Sequence, residues 1–265
     1  IDYIGERHDK WPEKSGWGDM LDLAGFKKQG WNYFKSIWVD EPHVSLGSLP
    51  LAESGFRQED TNGVAIAESA SSLVWRDSNM HWNYKKGDPV LVEVSTNLER
   101  IELFLNDASL GVRELSDDQG RIMRWVVPFE PGRLEARGIG RDDQHYAILE
   151  TTSAVTGFHA TVDKSRLRAD GYDVAHVELF LHDEKGRMVR ADDEHLKIQI
   201  SGPATLLGVD NGAPDNVHGF QVDESITHRG RALAILQSTR SPGVIEIQVQ
   251  AEGLPSRSLV LEAVK

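Results

Sequence analysis

The sequence predicts a mainly β protein: two tandem immunoglobulin-like β-sandwiches preceded by a short strand-loop-helix unit. Three observations carry this reading. From residue 81 onward, short runs in which apolar and polar residues alternate are separated by Gly, Asn, Asp and Pro turn clusters. The strongest helical pattern is confined to residues 26–38. Four of the seven tryptophans (Trp11, Trp17, Trp31, Trp38) fall within residues 1–46, so this segment differs from the rest.

Within residues 1–46, Ile1 to Ile4 reads as a stub of strand and Gly5 to Gly18 as a loop with Pro12 and three glycines. A turn ends at Ala24-Gly25. The helix follows over 26–38, with Phe26, Trp31, Phe34, Ile37 and Trp38 near one face. Gly30 weakens it by roughly 1 kcal/mol, and Pro42 lies beyond its end. A lone β-loop-α unit cannot bury its own apolar face, so this segment needs neighbours. The expectation is that it packs on the first sandwich or on another chain. Residues 47–80 are rich in Ser, Ala, Gly, Asp and Glu and hold one apolar stretch, Val64-Ala65-Ile66. They read as an insertion, a surface loop with a short strand.

The first sandwich is assigned to residues 81–153. It opens on the cluster His81-Trp82-Asn83-Tyr84 and a turn at Lys86-Gly87-Asp88-Pro89. Val90, Val92 and Val94 make one alternating run, and Ile101, Leu103 and Leu105 a second; Leu110-Gly111 opens a third. Residues 125–129 read as a strand near an edge because of Pro128. Residues 132–138 are another strand. Gly138-Ile139-Gly140 is a turn without the strand-helix context of a dinucleotide loop. The link to the next domain falls around 150–157. The second sandwich, residues 154–265, has strands at 159–162, 174–182, 196–201, 204–209, 231–236, 244–251 and 258–263. Its turns are marked by Asp170-Gly171, Glu184-Lys185-Gly186, Asp210-Asn211-Gly212 and Ser241-Pro242-Gly243.

Composition narrows the function classes. The 265 residues suffice for two ordinary domains. A net charge of −13 argues against nucleic acid and against an anionic membrane surface, since neither has a basic footprint to hold it. No apolar run approaches a membrane span, and no signal peptide stands at Ile1. Cysteine is absent, which excludes disulfides and thiolate zinc sites. Cytoplasm and bacterial periplasm are both compatible with this, and localisation is left open with periplasmic or secreted slightly favoured. The ten histidines show no close ligand pair. Asp210, Asn211, Asp215 and Asn216 offer oxygen ligands for calcium, but a glycine turn held by Asx side chains is the better reading. Asp192-Asp193-Glu194 reads as a solvated loop. No G-x-S-x-G elbow, cysteine nucleophile or P-loop is found. The expected cofactor and metal are none.

A resemblance to a known family sharpens this. The run HWNYKKGDPVLVEVSTNLERIELFLNDASLG, residues 81–111, resembles the first domain after the catalytic barrel in glycoside hydrolase family 2, in enzymes of the β-galactosidase type. DYIGE at 2–6 and LDLAGFKK at 21–28 are similar, in order and spacing, to the eighth strand and helix of that family's (β/α)₈ barrel. LRADGYDVAHVELFLHDEKGR at 167–187 and ISGPATLLGVDNGAPD at 200–215 resemble its last immunoglobulin-like domain. Residues 47–80 depart from the pattern, which usually runs from the helix almost directly into HWN.

The resemblance implies that residues 1–46 are the last slice of a barrel, and the C-terminal ends of barrel strands carry the active site. Asp2, Tyr3 and Glu6 match positions near the floor and rim of the sugar pocket. Trp11 and Trp17 are candidates for stacking on sugar rings. The plainer readings stand beside these: Asp2 and Glu6 as ion-pair partners for Arg7, Lys10 or Lys14, and the tryptophans as packing. The family's reaction is retaining hydrolysis of a terminal β-glycoside by two carboxyl groups about 5–5.5 Å apart. In the family both are glutamates on earlier strands, so no catalytic residue maps onto this chain, which alone is expected to be inert. The implied partner is a carbohydrate substrate bound by the missing barrel. The HWNY cluster is expected to pack the sandwich on that barrel, and the last domain to serve as a structural spacer or homodimer contact. The alternative is a non-catalytic carbohydrate-binding or adhesion module of tandem immunoglobulin-like domains. Exposed aromatics on a sandwich face would favour that alternative.

Overall fold

Alternating valines in a chain with well-placed turns fold as a sandwich, and the computed structural model shows two. It describes residues 11–14, 20–58, 65–67, 77–117, 121–140 and 144–265. The expected strand stub at Ile1 to Ile4 lies outside these. The chain divides into two units that part between Thr151 and Thr152, with residues 11–14 and 23–26 belonging to the second.

In the first unit, β1 (Val44–Pro50), β4 (Pro89–Thr96) and β7 (Ile122–Pro128) form one antiparallel sheet in the order β1-β4-β7. The facing sheet holds β5 (Arg100–Leu105), β6 (Ala108–Glu114), β8 (Arg133–Gly138) and β9 (Tyr146–Glu150) in the order β6-β5-β8-β9. β7 is an edge strand, as Pro128 foretold. Val90, Val92 and Val94 enter the core with Ile101, Leu103 and Trp125.

Between its terminal Pro89 and Thr96, β4 is buried on its other face too. Leu91 packs there with Val126 and Phe56. Phe56 comes from a small hairpin, β2 (Phe56–Gln58) with β3 (Ala65–Ala67), reached through the short helix α2 (Leu51–Ser54). Beside it the register pairs Glu93 with Arg124, their side chains 2.9 Å apart and buried, with Arg124 stacked 4.7 Å over Phe56. The first sandwich therefore begins at Val44 and takes a covering layer from residues 51–58 and 65–67. The sequence boundary at 81 was late because β1 (VSLGSLP) carries too few apolar residues to show a period.

The HWNY cluster differs from its expectation. Trp82 is fully buried inside the first sandwich. Its indole N–H donates to the Glu130 carbonyl at 3.0 Å, and its ring meets Phe129 edge-on at 5.2 Å. Ser48 ties the cluster to β1 through the His81 carbonyl (2.7 Å) and the Tyr84 hydroxyl (2.8 Å). An indole needs both an apolar slot and an acceptor, and the sandwich end supplies both.

The helix also differs. α1 spans Gln29–Trp38, starting three residues later than the pattern suggested. Residues 20–28 fold back on themselves instead: Leu21 bridges Lys27, and the Lys28 N–H reaches the Met20 carbonyl at 2.9 Å. Phe26 belongs to the second unit, 6.2 Å from Phe180 and under the Arg231 guanidinium at 4.5 Å. The face α1 buries is polar and small (Gln29, Gly30, Ser36), while Ile37 and Trp38 are exposed. It is held to the sandwich by Gln29 donating to the Leu46 carbonyl. Asn97 reaches the carbonyls of Val39 and Glu41 at 3.0 and 2.9 Å. The packing is close: a Cβ on Gly47 would lie 2.3 Å from Ser78 Oγ and 3.0 Å from the Gln29 amide.

In the second unit, β10 (Gly157–Val162), β12 (Val174–His182), β16 (Arg231–Ser238) and β14 (Ala204–Asp210) form one sheet, ordered β10-β12-β16-β14. The other holds β11 (Arg166–Arg168), β13 (His195–Ser201), β15 (Glu224–Ile226), β17 (Gly243–Ala251) and β18 (Arg257–Val264), ordered β11-β18-β17-β13-β15. β11 runs parallel to β18. Inward residues alternate cleanly: Val177, Leu179 and Leu181 on β12 face Ile245, Ile247 and Val249 on β17. Asp193, read as part of a solvated loop, braces the fold by accepting from Thr227 Oγ1 and the Gly230 N–H, both at 3.0 Å.

Asp183 locks the turn after β12. Its side chain is fully buried and accepts from the N–H groups of Lys185 and Arg187 (2.9 Å each) and Ser153 (3.2 Å), and from the Arg187 guanidinium at 2.6 Å. Burial opposes the charge, but these donors prevail and hold the carboxyl at about 2. Its unfolded value is about 3.9. A depressed folded value stabilises above the unfolded one, so the contribution is complete above about pH 5 and fades as pH falls toward 2. Asp183→Asn should cost the second unit about 3 kcal/mol at pH 7. Urea denaturation at pH 7 and pH 2.5 checks this: the gap between wild type and variant should shrink at the lower pH.

Candidate functional site

Only one of the sequence-derived site residues can be located. Asp2, Tyr3 and Glu6 lie outside the described residues, as does Trp17. Trp11 is 75 % exposed, in the second unit. Three residues on, the Lys14 N–H donates to the Pro214 carbonyl at 2.6 Å, and the Lys14 ammonium sits 4.3 Å over the Phe220 ring. The segment at 11–14 thus rests on the loop between β14 and β15, residues 211–223.

That loop is built from side chains that bond their own backbone. Asp210 Oδ1 accepts from the Asn211 N–H at 2.7 Å and the Gly212 N–H at 3.3 Å. Asn211 is buried; its Oδ1 accepts from Ala213 at 3.0 Å, and its amide donates to the Ile226 carbonyl at 2.8 Å. Asn216 Oδ1 accepts from His218 at 2.9 Å. The Asx-turn reading of this stretch describes the geometry; among the described residues no cluster of three acidic or imidazole side chains could hold a metal ion. The loop buries Asn211, Ala213 and Asn216, and exposes Val217 and Phe220. The pairing of Lys14 with Phe220 was not legible in the sequence, because it joins residues far apart in the chain and neither sits in a motif.

A second candidate is a groove of about 920 Å³ on the second sandwich, lined among others by Gln199, Thr205, Leu206, Glu246, Gln248 and Val260. None of its lining residues is aromatic, so it offers no stacking platform for a sugar ring. Among the described residues, three buried carboxylates of the sandwiches are paired with arginine: Glu93 with Arg124, Glu135 with Arg133 and Arg137, and Asp183 with Arg187. A third surface is the open face of α1, where Phe34 stacks on Trp38 at 4.9 Å and Trp31 lies under Lys27 at 4.8 Å.

Residues 158–260 match the family described as glycoside hydrolase family 2 C-terminal domain 5. Residues 87–147 match a domain of unknown function, DUF4982. The beta-galactosidase BoGH2A of Bacteroides ovatus is 28 % identical over 267 residues, covering 99 % of this chain. Residues 158–260 thus carry a C-terminal domain of glycoside hydrolase family 2, and the chain as a whole is similar to the C-terminal region of enzymes of that family. A Formosa agariphila beta-glucuronidase is 27 % identical over 261 residues, covering 90 % of the chain. A solved glycosyl hydrolase family 2 member from Bacteroides cellulosilyticus superposes with a TM-score of 0.85 at 28 % identity, covering 96 % of the chain. The chain spans 27 % of the Bacteroides ovatus protein, 26 % of the Formosa agariphila one and 32 % of the Bacteroides cellulosilyticus structure. No helix among the described residues is long and apolar enough to cross a membrane.

Asn211→Ala removes two hydrogen bonds from a buried site, and should destabilise the second unit by about 1–3 kcal/mol. Calorimetry should show the matching transition moved down and the other unchanged.

Proposed function

We propose that the parent protein is a retaining, β-galactosidase-like glycoside hydrolase that cleaves terminal β-glycosidic bonds, and that this chain alone does not catalyse. The observation that carries this is the alignment to the Bacteroides ovatus beta-galactosidase, which runs through nearly the whole chain, residues before the first sandwich included. Two further features support it. The open aromatic face of α1 is what a barrel helix would turn toward its neighbours, its polar face being already used on the sandwich. Among the described residues, the buried Glu93, Glu135 and Asp183 are each held by an arginine, which suits structural rather than acid/base or nucleophilic work.

On this reading the residues before Val44 are the last strand and helix of the barrel. Asp2, Tyr3 and Glu6 belong near the sugar pocket, with Trp11 on its rim. Both sandwiches are immunoglobulin-like modules, supported in the first by its three-on-four strand order β1-β4-β7 over β6-β5-β8-β9. The binding-module alternative draws less support, since Trp82 and Trp125 are buried and the groove on the second sandwich lacks aromatics.

The test is a panel of 4-nitrophenyl β-glycosides offered to the longer parent protein and to this chain. The expected result is one sugar cleaved by the parent with retention of configuration and none cleaved by the chain. Hydrolysis by the chain itself would overturn the assignment of the chemistry to upstream residues.

A further inference from the structure

We infer that His43 is a pH-sensitive latch for α1: its neutral imidazole lets the helix close on the first sandwich, and mild acid loosens that hold. The latch lies wholly within the first unit. It stands independently of the proposed function; only its consequence for a parent enzyme rests on that reading.

His43 sits at the junction between α1 and β1, and its main chain is clamped from two sides. Its N–H donates to Asn97 Oδ1 at 2.8 Å, and its carbonyl accepts from Thr96 Oγ1 at 2.7 Å. The same Asn97 holds the chain just beyond α1 through the carbonyls of Val39 and Glu41. The ring lies by α1, where the Asn32 main chain and Lys35 act on it. Its Nε2 is buried and has no hydrogen-bond partner. An imidazole with its single proton on Nδ1 tolerates this, because Nε2 then carries no hydrogen to satisfy. An imidazolium has two N–H groups, and the one on Nε2 meets no acceptor here. A buried charged donor without a partner is a costly defect. With the main chain pinned, relief comes from parting the ring and the helix.

The surroundings reinforce the neutral form. Burial is the main force holding the imidazole below its ordinary value, the Lys35 ammonium adds to it, and the Asn32 main chain opposes both. Asp40 and Glu41 on the connection to β1, and Glu99 and Arg100 after β4, are exposed. Lys35 is the charged neighbour that acts on the ring. The unfolded value is about 6.5. A histidine depressed in the fold stabilises fully above that value, and the contribution is lost as pH falls through the lower folded one. On the proposed reading α1 is the last helix of the barrel, so mild acid would loosen the barrel from its sandwich platform.

The test is NMR of the whole chain between about pH 7.5 and about pH 5, following the His43 ring and the exchange of the α1 amides corrected for its intrinsic pH dependence. Above about pH 5 the Asp183 contribution stays complete, so the second unit serves as the internal reference. The His43 ring should titrate below about 6.5, the α1 amides should lose protection with the same midpoint, and the β12 amides should not change. Lys35→Gln, at an exposed position, should move both midpoints upward together. His43→Phe should leave α1 protection flat across the window; where the larger ring does not fit, Lys35→Gln carries the test alone. A ring that titrates while α1 stays protected swings out by itself, and overturns the latch. So does a loss of α1 protection whose midpoint ignores Lys35→Gln, or that persists unchanged in His43→Phe. None of these readouts depends on glycoside hydrolysis, so an inert parent overturns the proposed function and leaves the latch standing.

Discussion

The first unit depends on one strand being buried on both faces. β4 contributes Val90, Val92 and Val94 to the sandwich core, and Leu91 and Glu93 to a second layer on the other side. A sheet with a bare outer face would expose Leu91, Val126 and the Glu93–Arg124 pair to water. The hairpin and α2 cover Leu91 and Val126, and α1 packs beside them through hydrogen bonds. Side chains in that layer are matched to partners, Arg124 to both a carboxylate and the Phe56 ring and Gln29 to a strand carbonyl. Removing one member of such a set strands the other without water, which costs more than the contact contributed.

The way α1 is held has a functional side. A helix attached by Gln29, Gly30 and Ser36 has its aromatic residues left over. Polar attachment fixes orientation through directional bonds, while the aromatic face stays available for a larger partner. In the proposed parent that partner is the rest of the barrel, and the sandwich becomes the platform that orients the barrel's last helix. Within the second unit, a self-bonded loop is set against the segment that carries Trp11.

Much of the fold was legible in the sequence where a face alternated over five or more residues. The strand read at 174–182 is β12 as observed, and 244–251 differs from β17 by one residue. β11 and β15 were missed because three residues show no period. β9, YAILE, was missed because an edge strand with Tyr146 and Ile148 turned outward does not read as half-buried. α1 misled in a more instructive way. Its aromatics were read as the buried face, since periodicity reports which side is apolar but not which side is covered. Trp82 misled for a related reason: an aromatic cluster ahead of a strand looks like a docking surface until a carbonyl at Glu130 gives its indole a partner inside. At the candidate site, Trp11 was legible as an exposed aromatic near a family motif, whereas Lys14 and Phe220 meet only through tertiary structure.

The central claim is that residues before the aromatic cluster are integral to the first sandwich rather than appended to it. The most direct measurement is the unfolding of the whole chain against a version starting at residue 81, followed by calorimetry and by hydrogen exchange of the β4 amides. The account expects the shortened chain to lose the first sandwich's cooperative transition and the protection of β4, with the second sandwich's transition intact. Two transitions at unchanged temperatures, with β4 still protected, would contradict it.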